Sequence, residues 1–243
     1  MNNVLTIAGS DSGGGAGIQA DLQTFHDFGV YGATAITAMT AQNRQRVGAI
    51  FKSPANFVAE QVDFIMADIN PYVWKTGMLV NKAIIKTVVK KAEQYSIKSL
   101  VIDPVMVSTS GTRLLTTDSI KCLIESLIPL SLVVTPNIPE AEVLAGKKIN
   151  NIADMKKAAV IIHHLGAKNV VVKGGHLTNN FKAVDIFFDG RKFHELASKR
   201  IVHRHLHGGG CRFASAIAAN IVEGDTVLAA VSKAKRYLHQ FFT

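Results

Sequence analysis

The sequence predicts an α/β fold built on one doubly wound, mainly parallel sheet with helices on both faces. Three observations carry this. Short β-branched apolar runs alternate with helix-length amphipathic segments along the whole chain. The ends of the apolar runs fall repeatedly on glycine or polar clusters, as they do where such a sheet binds a ligand. The 243 residues are 48% hydrophobic and 19% charged, which suits a large buried core. With no internal repeat, low-complexity segment or linker, residues 1–243 read as a single domain.

The first strand is Val4 to Ala8, which runs into Gly9-Ser10-Asp11-Ser12-Gly13-Gly14-Gly15-Ala16-Gly17 and then a helix with Ile18, Leu22 and Phe25 on one face. This loop has neither the Gly-Lys-Ser/Thr of a Walker P-loop nor a clean GxGxxG. Asp11 and Asp21 fall near it, although Asp21 also suits a solvated carboxylate in the first helical turns. Gly32 to Met39 is a second strand, ending in Thr40-Ala41-Gln42-Asn43. Gln42 and Asn43 are either turn residues or side chains for recognising a heterocycle. Pro54 to Ile69 has helical spacing, and Val73 to Thr76 is a strand ending at Gly77-Met78-Leu79. Asn81 to Tyr95 is a helix, and the strand Leu100 to Ile102 ends at Asp103-Pro104-Val105-Met106.

No element is assigned from there until the strand Leu132 to Val134, which ends at Thr135-Pro136-Asn137. A short helix opens at Ile138, with Pro139 in its first turn. After a helix from Met155 to Leu165, the strand Asn169 to Val172 delivers Lys173-Gly174-Gly175-His176. Asp189-Gly190 between Val184–Phe188 and Lys192–Leu196 signals a hairpin. A β-rich approach from Lys199 to Leu206 meets His207-Gly208-Gly209-Gly210-Cys211 and a small-residue helix to Val222, and Thr226 to Phe242 is the last helix. Glycines let N–H groups turn inward together, and a helix start adds its positive dipole end, so this stretch can cradle a phosphate. Cys211 at that helix start is expected to have a lowered thiol pKa. The plainer reading is a glycine turn with a buried structural cysteine.

No run of 18 apolar residues appears, and the N-terminus lacks the regions of a signal peptide. Two cysteines, Cys122 and Cys211, give no disulfide framework, so a cytoplasmic protein with no membrane partner is expected. The formal charge of +9 would suit nucleic acid, but the basic residues are scattered, so no nucleic-acid partner is expected. His203, His205 and His207 alternate, and zinc there would compete with the anion cradle. The predicted strand ends bring together Asp11, Gln42, Met78, Asp103, Asn137, Glu140, Lys173 and Gly208 to Cys211. Acidic groups for Mg²⁺, a lysine and an anion hole are the parts of phosphoryl transfer. Taken singly, each has an ordinary alternative as a helix cap or a surface lysine.

Together the motifs resemble the hydroxymethylpyrimidine/phosphomethylpyrimidine kinases of thiamine synthesis, in the ribokinase-like superfamily. The matching stretches are Thr6 through Asp21, Thr37 through Asn43, Lys75-Thr76-Gly77-Met78-Leu79, Asp103 through Val107, Thr135 through Ala141, Lys173 through His176 and His207 through Cys211, nearly the whole chain in order. The resemblance implies a ribokinase-like three-layer fold. It further implies ATP- and Mg²⁺-dependent phosphorylation of 4-amino-5-hydroxymethyl-2-methylpyrimidine and then of its monophosphate. Gln42 would hydrogen-bond the aminopyrimidine with Asp21 helping, in a site shared by Gly9, with Met78 and Val105 as apolar walls. Cys211 takes the place of the aspartate base of most superfamily relatives, either removing the alcohol's proton or orienting it. Gly208, Gly209 and Gly210 would stabilise the transferred group. Asn137 and Glu140, with Asp103, would organise Mg²⁺, while Lys173 and, on the last helix, Lys235 would face the nucleotide. A homodimer is also implied.

The departures cluster near the cradle. The family usually shows Asn-Thr-His-Gly-Thr-Gly-Cys, then Thr and, after an aromatic, Ser; here the corresponding positions hold His205, Leu206, Gly209, Arg212 and Ala214. Arg212 is a cation in a first helical turn, expected either to contact phosphate or to mark a weakened site. A pyridoxal/pyridoxine kinase and a catalytically weakened pyrimidine-binding relative are the rival readings.

Overall fold

The computed structural model describes residues 2–43, 45–107, 111, 113–176, 182–200 and 207–243. His203, His205 and Leu206 lie outside these, so the alternating histidines and two of the departures carry no structural statement. One nine-stranded sheet runs through the molecule, in the order β3-β2-β1-β4-β5-β6-β7-β8-β9. Its strands are β1 (Asn3–Asp11), β2 (Tyr31–Gln42), β3 (Val47–Lys52), β4 (Val73–Thr76), β5 (Ser99–Ile102), β6 (Val133–Val134), β7 (Asn169–Val172), β8 (Lys182–Phe188) and β9 (Phe193–Lys199). The six strands from β2 to β7 are parallel; β3 closes one edge antiparallel, and the β8–β9 hairpin closes the other.

Successive residues of the central strands feed opposite cores, as a period of two requires. Val4, Val73, Val101, Val133 and Val171 face one side, against α7 (Gly209–Val222) and α8 (Val227–Phe242). Leu5, Trp74, Leu100, Val134 and Val172 face the other. There they meet α2 (Ala55–Asp68), α3 (Lys82–Gln94) and α6 (Ile152–His164), supplied by Val62, Ile84, Ile85 and Ile162. The helix α1 (Gly17–Asp27) packs beside α7. The result is the three-layer arrangement expected.

Among the described residues, the edge strand β3 and the helical stretch from Thr117 to Leu130 escaped the sequence reading. The edge strand β3 is part-buried or exposed at every position, so it carries no burial pattern to read. Within the unassigned stretch, Thr116 caps α4 (Thr117–Cys122) by accepting from the Ser119 N–H. From β1 the chain moves outward to β2 and β3, then crosses back to β4 and continues the other way. The order therefore reverses between β1 and β4, and a crevice opens at the carboxyl ends of those strands.

Candidate active site

A cavity of about 730 Å³ lies at this switch point, lined from the ends of β1, β4 and β5, the starts of α5 (Ile138–Ala145) and α7, and one face of α8. Two glycine loops form its wall. In the first, Asp11 Oδ1 accepts from the Gly13 N–H at 2.8 Å, and Oδ2 accepts from Gly15 and Ala16 at 3.1 and 2.9 Å. The second loop docks onto it through His207, whose Nε2 lies 2.9 Å from Asp11 Oδ2. Burial alone would raise the Asp11 pKa, but the His207 contact and the backbone donors outweigh it and hold the carboxyl below its usual range. Gly208 has φ 78°, and a Cβ there would collide with the Gly15 carbonyl oxygen. Only glycine fits both constraints. At Gly9 the constraint is softer, since a Cβ there would meet the methyl of Met78, the far end of a flexible side chain. Gln42 is held by its backbone, which exchanges hydrogen bonds with Ser12, and its Nε2 lies 3.5 Å from His207 Nε2.

Across the cavity, Lys173 Nζ donates to Asp103 Oδ1 at 3.1 Å. Gly210 is close to both, as a Cβ there would lie 3.3 Å from Nζ and 3.4 Å from Asp103 Oδ2. Desolvation opposes the charge on Lys173, but Asp103 and then Glu140 keep its pKa above the ordinary value. Asn137 and Glu140 form a capping box, each side chain accepting at 2.9 Å from the other's backbone N–H. That turn buries Glu140, and burial raises its pKa to about 7; Lys173 pulls it down and Asp103 pushes it up.

Cys211 occupies the third residue of α7 and faces the cavity. The expected lowering of its thiol pKa does not occur. Desolvation raises it to about 11, with Asp21 and Asp103 adding to the rise and Lys75 opposing it. Lost hydration and the two nearby carboxylates outweigh the pull of the helix start.

The sequence profile of the phosphomethylpyrimidine kinase family matches residues 11–243. The chain belongs to this family. It is 48% identical over 97% of its length to a thiamine biosynthesis bifunctional protein of Geobacter sulfurreducens, of which it covers 48%. The chain thus spans about half the length of that curated relative. Among solved structures, a phosphomethylpyrimidine kinase from Clostridium difficile superposes with a TM-score of 0.88 at 42% identity, covering 99% of both chains. A pyridoxal kinase from Staphylococcus aureus, in complex with AMP-PCP and pyridoxal, gives 0.90 at 37% identity, covering 98% of this chain and 86% of that one. The fold is the ribokinase-like one that the resemblance implies.

The site residues of the family's pattern are mostly brought together. Gly9, Gln42, Met78, Val105, Asp103, Asn137, Glu140, Lys173, Lys235, Gly208, Gly209, Gly210 and Cys211 all line the cavity. Three placements differ from expectation. Asp21 is fully buried and away from the lining, with both oxygens engaged by Lys75 at 2.8 Å and by the hydroxyls of Thr6 and Ser215 at 2.7 Å. It has no free lone pair to offer a pyrimidine. Arg212 also turns away from the cavity; it donates to Gln23 Oε1 at 2.7 Å and lies 4.0 Å from the centre of the Phe241 ring. Its position in the first turns of α7 points it at α1 and α8 rather than at the cradle. Lys235 does reach the lining, but its Nζ donates to Asp185 at 2.7 Å, and Asp185 accepts from the Gly174 N–H at 2.9 Å. Lys235 therefore braces the turn after β7.

Sequence reasoning missed Lys75, although a lysine inside the buried run Val73-Trp74-Lys75-Thr76 is itself a signal of a specific partner. It also missed the pairing of His207 with Asp11, which joins residues 196 positions apart and has no local signature.

Proposed function

We propose that this chain phosphorylates the hydroxymethyl group of 4-amino-5-hydroxymethyl-2-methylpyrimidine, and then the resulting monophosphate, with ATP as phosphoryl donor. The observation that carries the reading is one cavity in which a glycine cradle lies between a polar, flat-walled end at Gln42 and Met78 and a lysine–carboxylate cluster at Lys173, Asp103 and Glu140. At about 730 Å³ it has room for a small heterocycle beside a nucleotide's phosphates. The AMP-PCP held by the Staphylococcus kinase supports ATP as co-substrate.

In this reading the ring lies between Met78, Val105 and Gly9, with the Gln42 amide on its amino edge. The acceptor oxygen attacks the terminal phosphorus in line, a new O–P bond forms as the bond to the leaving ADP oxygen breaks, and the alcohol's proton passes to an oxygen of the transferred phosphoryl group and from there to solvent. Backbone N–H groups at Gly209, Gly210 and Cys211 face the oxygens that gain charge, and holding both reactants in one geometry supplies the rest. Cys211, as a neutral thiol, positions the alcohol rather than waiting as a ready base. Lys173 exchanges Asp103 for a phosphate oxygen.

The carboxylates fit Mg²⁺. Glu140 is buried with a raised pKa beside Asp103, an excess of negative charge that a cation would relieve. Among the described residues no three His, Cys, Asp or Glu side chains gather into a metal site. That suits an ion which keeps its waters and takes one or two carboxylates plus phosphate. Asp103 and Glu140, with Asn137 at the same turn, would hold it, and it would neutralise phosphate charge.

The test is steady-state ATP turnover with Mg²⁺ and hydroxymethylpyrimidine, beside Cys211→Ala. Turnover in the parent protein establishes the kinase, and its size in the variant measures what the thiol contributes. Binding of the pyrimidine without turnover in either protein would instead identify a weakened relative. A second reading, pyridoxal as acceptor, is favoured by the pyridoxal in the Staphylococcus kinase, and a substrate panel ranks the two rings.

A further inference from the structure

The ion pair between Asp21 and Lys75 is fully buried, joined by the buried hydroxyls of Thr6 and Ser215. Such a pair is weak grounds for stability, since well-packed apolar residues commonly do as well, so its presence asks for another role. Asp21 sits on α1, and its contacts lead to three other elements: Thr6 of β1, Lys75 of β4 and Ser215 of α7. On α7 the side chains nearest Ser215 on its own face are Cys211, Arg212, Ala218 and Ala219, while Phe213 and Ile217 fill the core on other faces. The two alanines interlock little, so the seating of this face against α1 leans on its polar contacts, the Ser215 hydroxyl among them.

Ser215 follows Cys211 by one helical turn, so hydroxyl and thiol share a face. The Lys75–Asp21 pair lies under both, close enough for its charges to act on the thiol. It also lies under the cavity floor, because a Cβ at Gly77 would come within 3.1 Å of Lys75 Nζ. We propose that Ser215 is a positioning residue: its hydrogen bond to Asp21, at 2.7 Å, fixes the rotation of α7 and so aims Cys211 and the first-turn N–H groups at the acceptor. A rotation of about 15° would move a thiol by about 1 Å, outside the tolerance of a working site. The inference rests on the kinase reading of the cavity.

The experiment compares Ser215→Ala, Ser215→Thr and Ile217→Val, the last a matched core loss on the same helix away from Asp21. Ser215→Ala is expected to lose at least about ten-fold in kcat, with the KM for ATP within two-fold of the parent. Ser215→Thr, which keeps the hydroxyl, is expected to return to within three-fold (an estimate from the same positional tolerance). Ile217→Val should lower the melting temperature without lowering kcat. The proposal is overturned if Ser215→Ala keeps kcat within about two-fold, or if Ile217→Val loses as much at an equal melting shift. An inactive parent would overturn the kinase reading alone. The proposal is then decided by alkylation of Cys211, followed by mass spectrometry. A several-fold change in rate in Ser215→Ala but not in Ile217→Val supports it, and equal rates overturn it.

Discussion

Gly208→Ala and Gly209→Ala change the same chemistry by one methyl at adjacent positions, yet they should part company sharply. Gly208 sits at φ 78°, where an L-residue with a Cβ costs about 1–2 kcal/mol. The added methyl also meets the Gly15 carbonyl oxygen, which is backbone and cannot rotate aside. The two loops must then separate, loosening the contact that His207 makes with Asp11. Together these effects should cost roughly 2–3 kcal/mol, a melting shift of about 4–12 °C for a chain of this size. Moving a backbone donor away from the developing charge costs about 10²–10³ in kcat. At Gly209 the nearest atom to a new Cβ is a Phe242 ring carbon at 3.6 Å, an ordinary contact. The position is already helical, so alanine there should stabilise by up to about 1 kcal/mol and lower kcat by less than about ten-fold. Both variants are measured by thermal melting and by kcat with saturating ATP and pyrimidine. A Gly208→Ala protein within ten-fold of the parent, or a Gly209→Ala protein as damaged as Gly208→Ala, would refute the argument.

Three further outcomes follow from the site. Cys211, at a pKa of about 11, should alkylate with a rate that rises about ten-fold per pH unit from 7 to 10; a plateau near pH 8 would mean a thiolate the structure does not account for. Glu140 has its pKa raised to about 7 by burial, so its protonated form stabilises the fold at low pH, and that contribution is lost as pH rises through the folded value. In metal-free buffer Glu140→Gln should therefore match the parent's melting temperature near pH 4.5 and exceed it at pH 8, by on the order of 5 °C, and added Mg²⁺ should narrow the gap; a constant gap across pH would show that Glu140 ionises freely. Arg212→Thr should leave the KM for ATP within about two-fold, because the guanidinium faces Phe241 and two of its buried nitrogens, Nε and Nη1, have no partner, and stability should change by less than about 1 kcal/mol. A ten-fold rise in that KM would return Arg212 to the nucleotide.

What the sequence made legible was whatever depends on local order. The strands of the parallel sheet announce themselves as apolar runs because both of their faces are covered, and Val133-Val134 can be read even at two residues. Because a doubly wound sheet gathers its strand ends, most of the residues that follow each run line one cavity. What remained hidden depends on direction. Nothing local distinguishes Arg212, which turns away from the cavity, from Cys211 beside it, which faces in; the difference is a rotation of about 100° about the axis of α7. Asp21 was hidden for the opposite reason, since a carboxylate early in α1 also suits solvent. Only the crossing from β1 to β4 places Lys75 beneath it. The Cys211 thiol shows the same limit: its position at a helix start is legible, but its burial between Asp21 and Asp103 is tertiary.

Three of the lysines at or beneath the cavity differ in how firmly they are held. Lys75, Lys173 and Lys235 are each matched to one aspartate: Asp21 at 2.8 Å, Asp103 at 3.1 Å and Asp185 at 2.7 Å. The first pair is fully buried and saturated by hydroxyls, and the third has Asp185 also holding the Gly174 N–H. Neither ammonium can leave without stranding a buried carboxylate, at a cost of about 3–5 kcal/mol. The Lys173 pair is the longest, its lysine side chain is the most open of the three at 16% exposure, and Asp103 belongs to the carboxylate pair that a divalent cation would neutralise. In the proposed reaction, an incoming phosphate with Mg²⁺ would offer both members of this pair a new partner at once. Exchange at Lys173 would then cost least with nucleotide and metal together, while the other two lysines would stay fixed as framework. Of these three ammonium groups Lys173 is therefore the one that would change partner, with the backbone N–H groups at the start of α7 receiving the anion beside it.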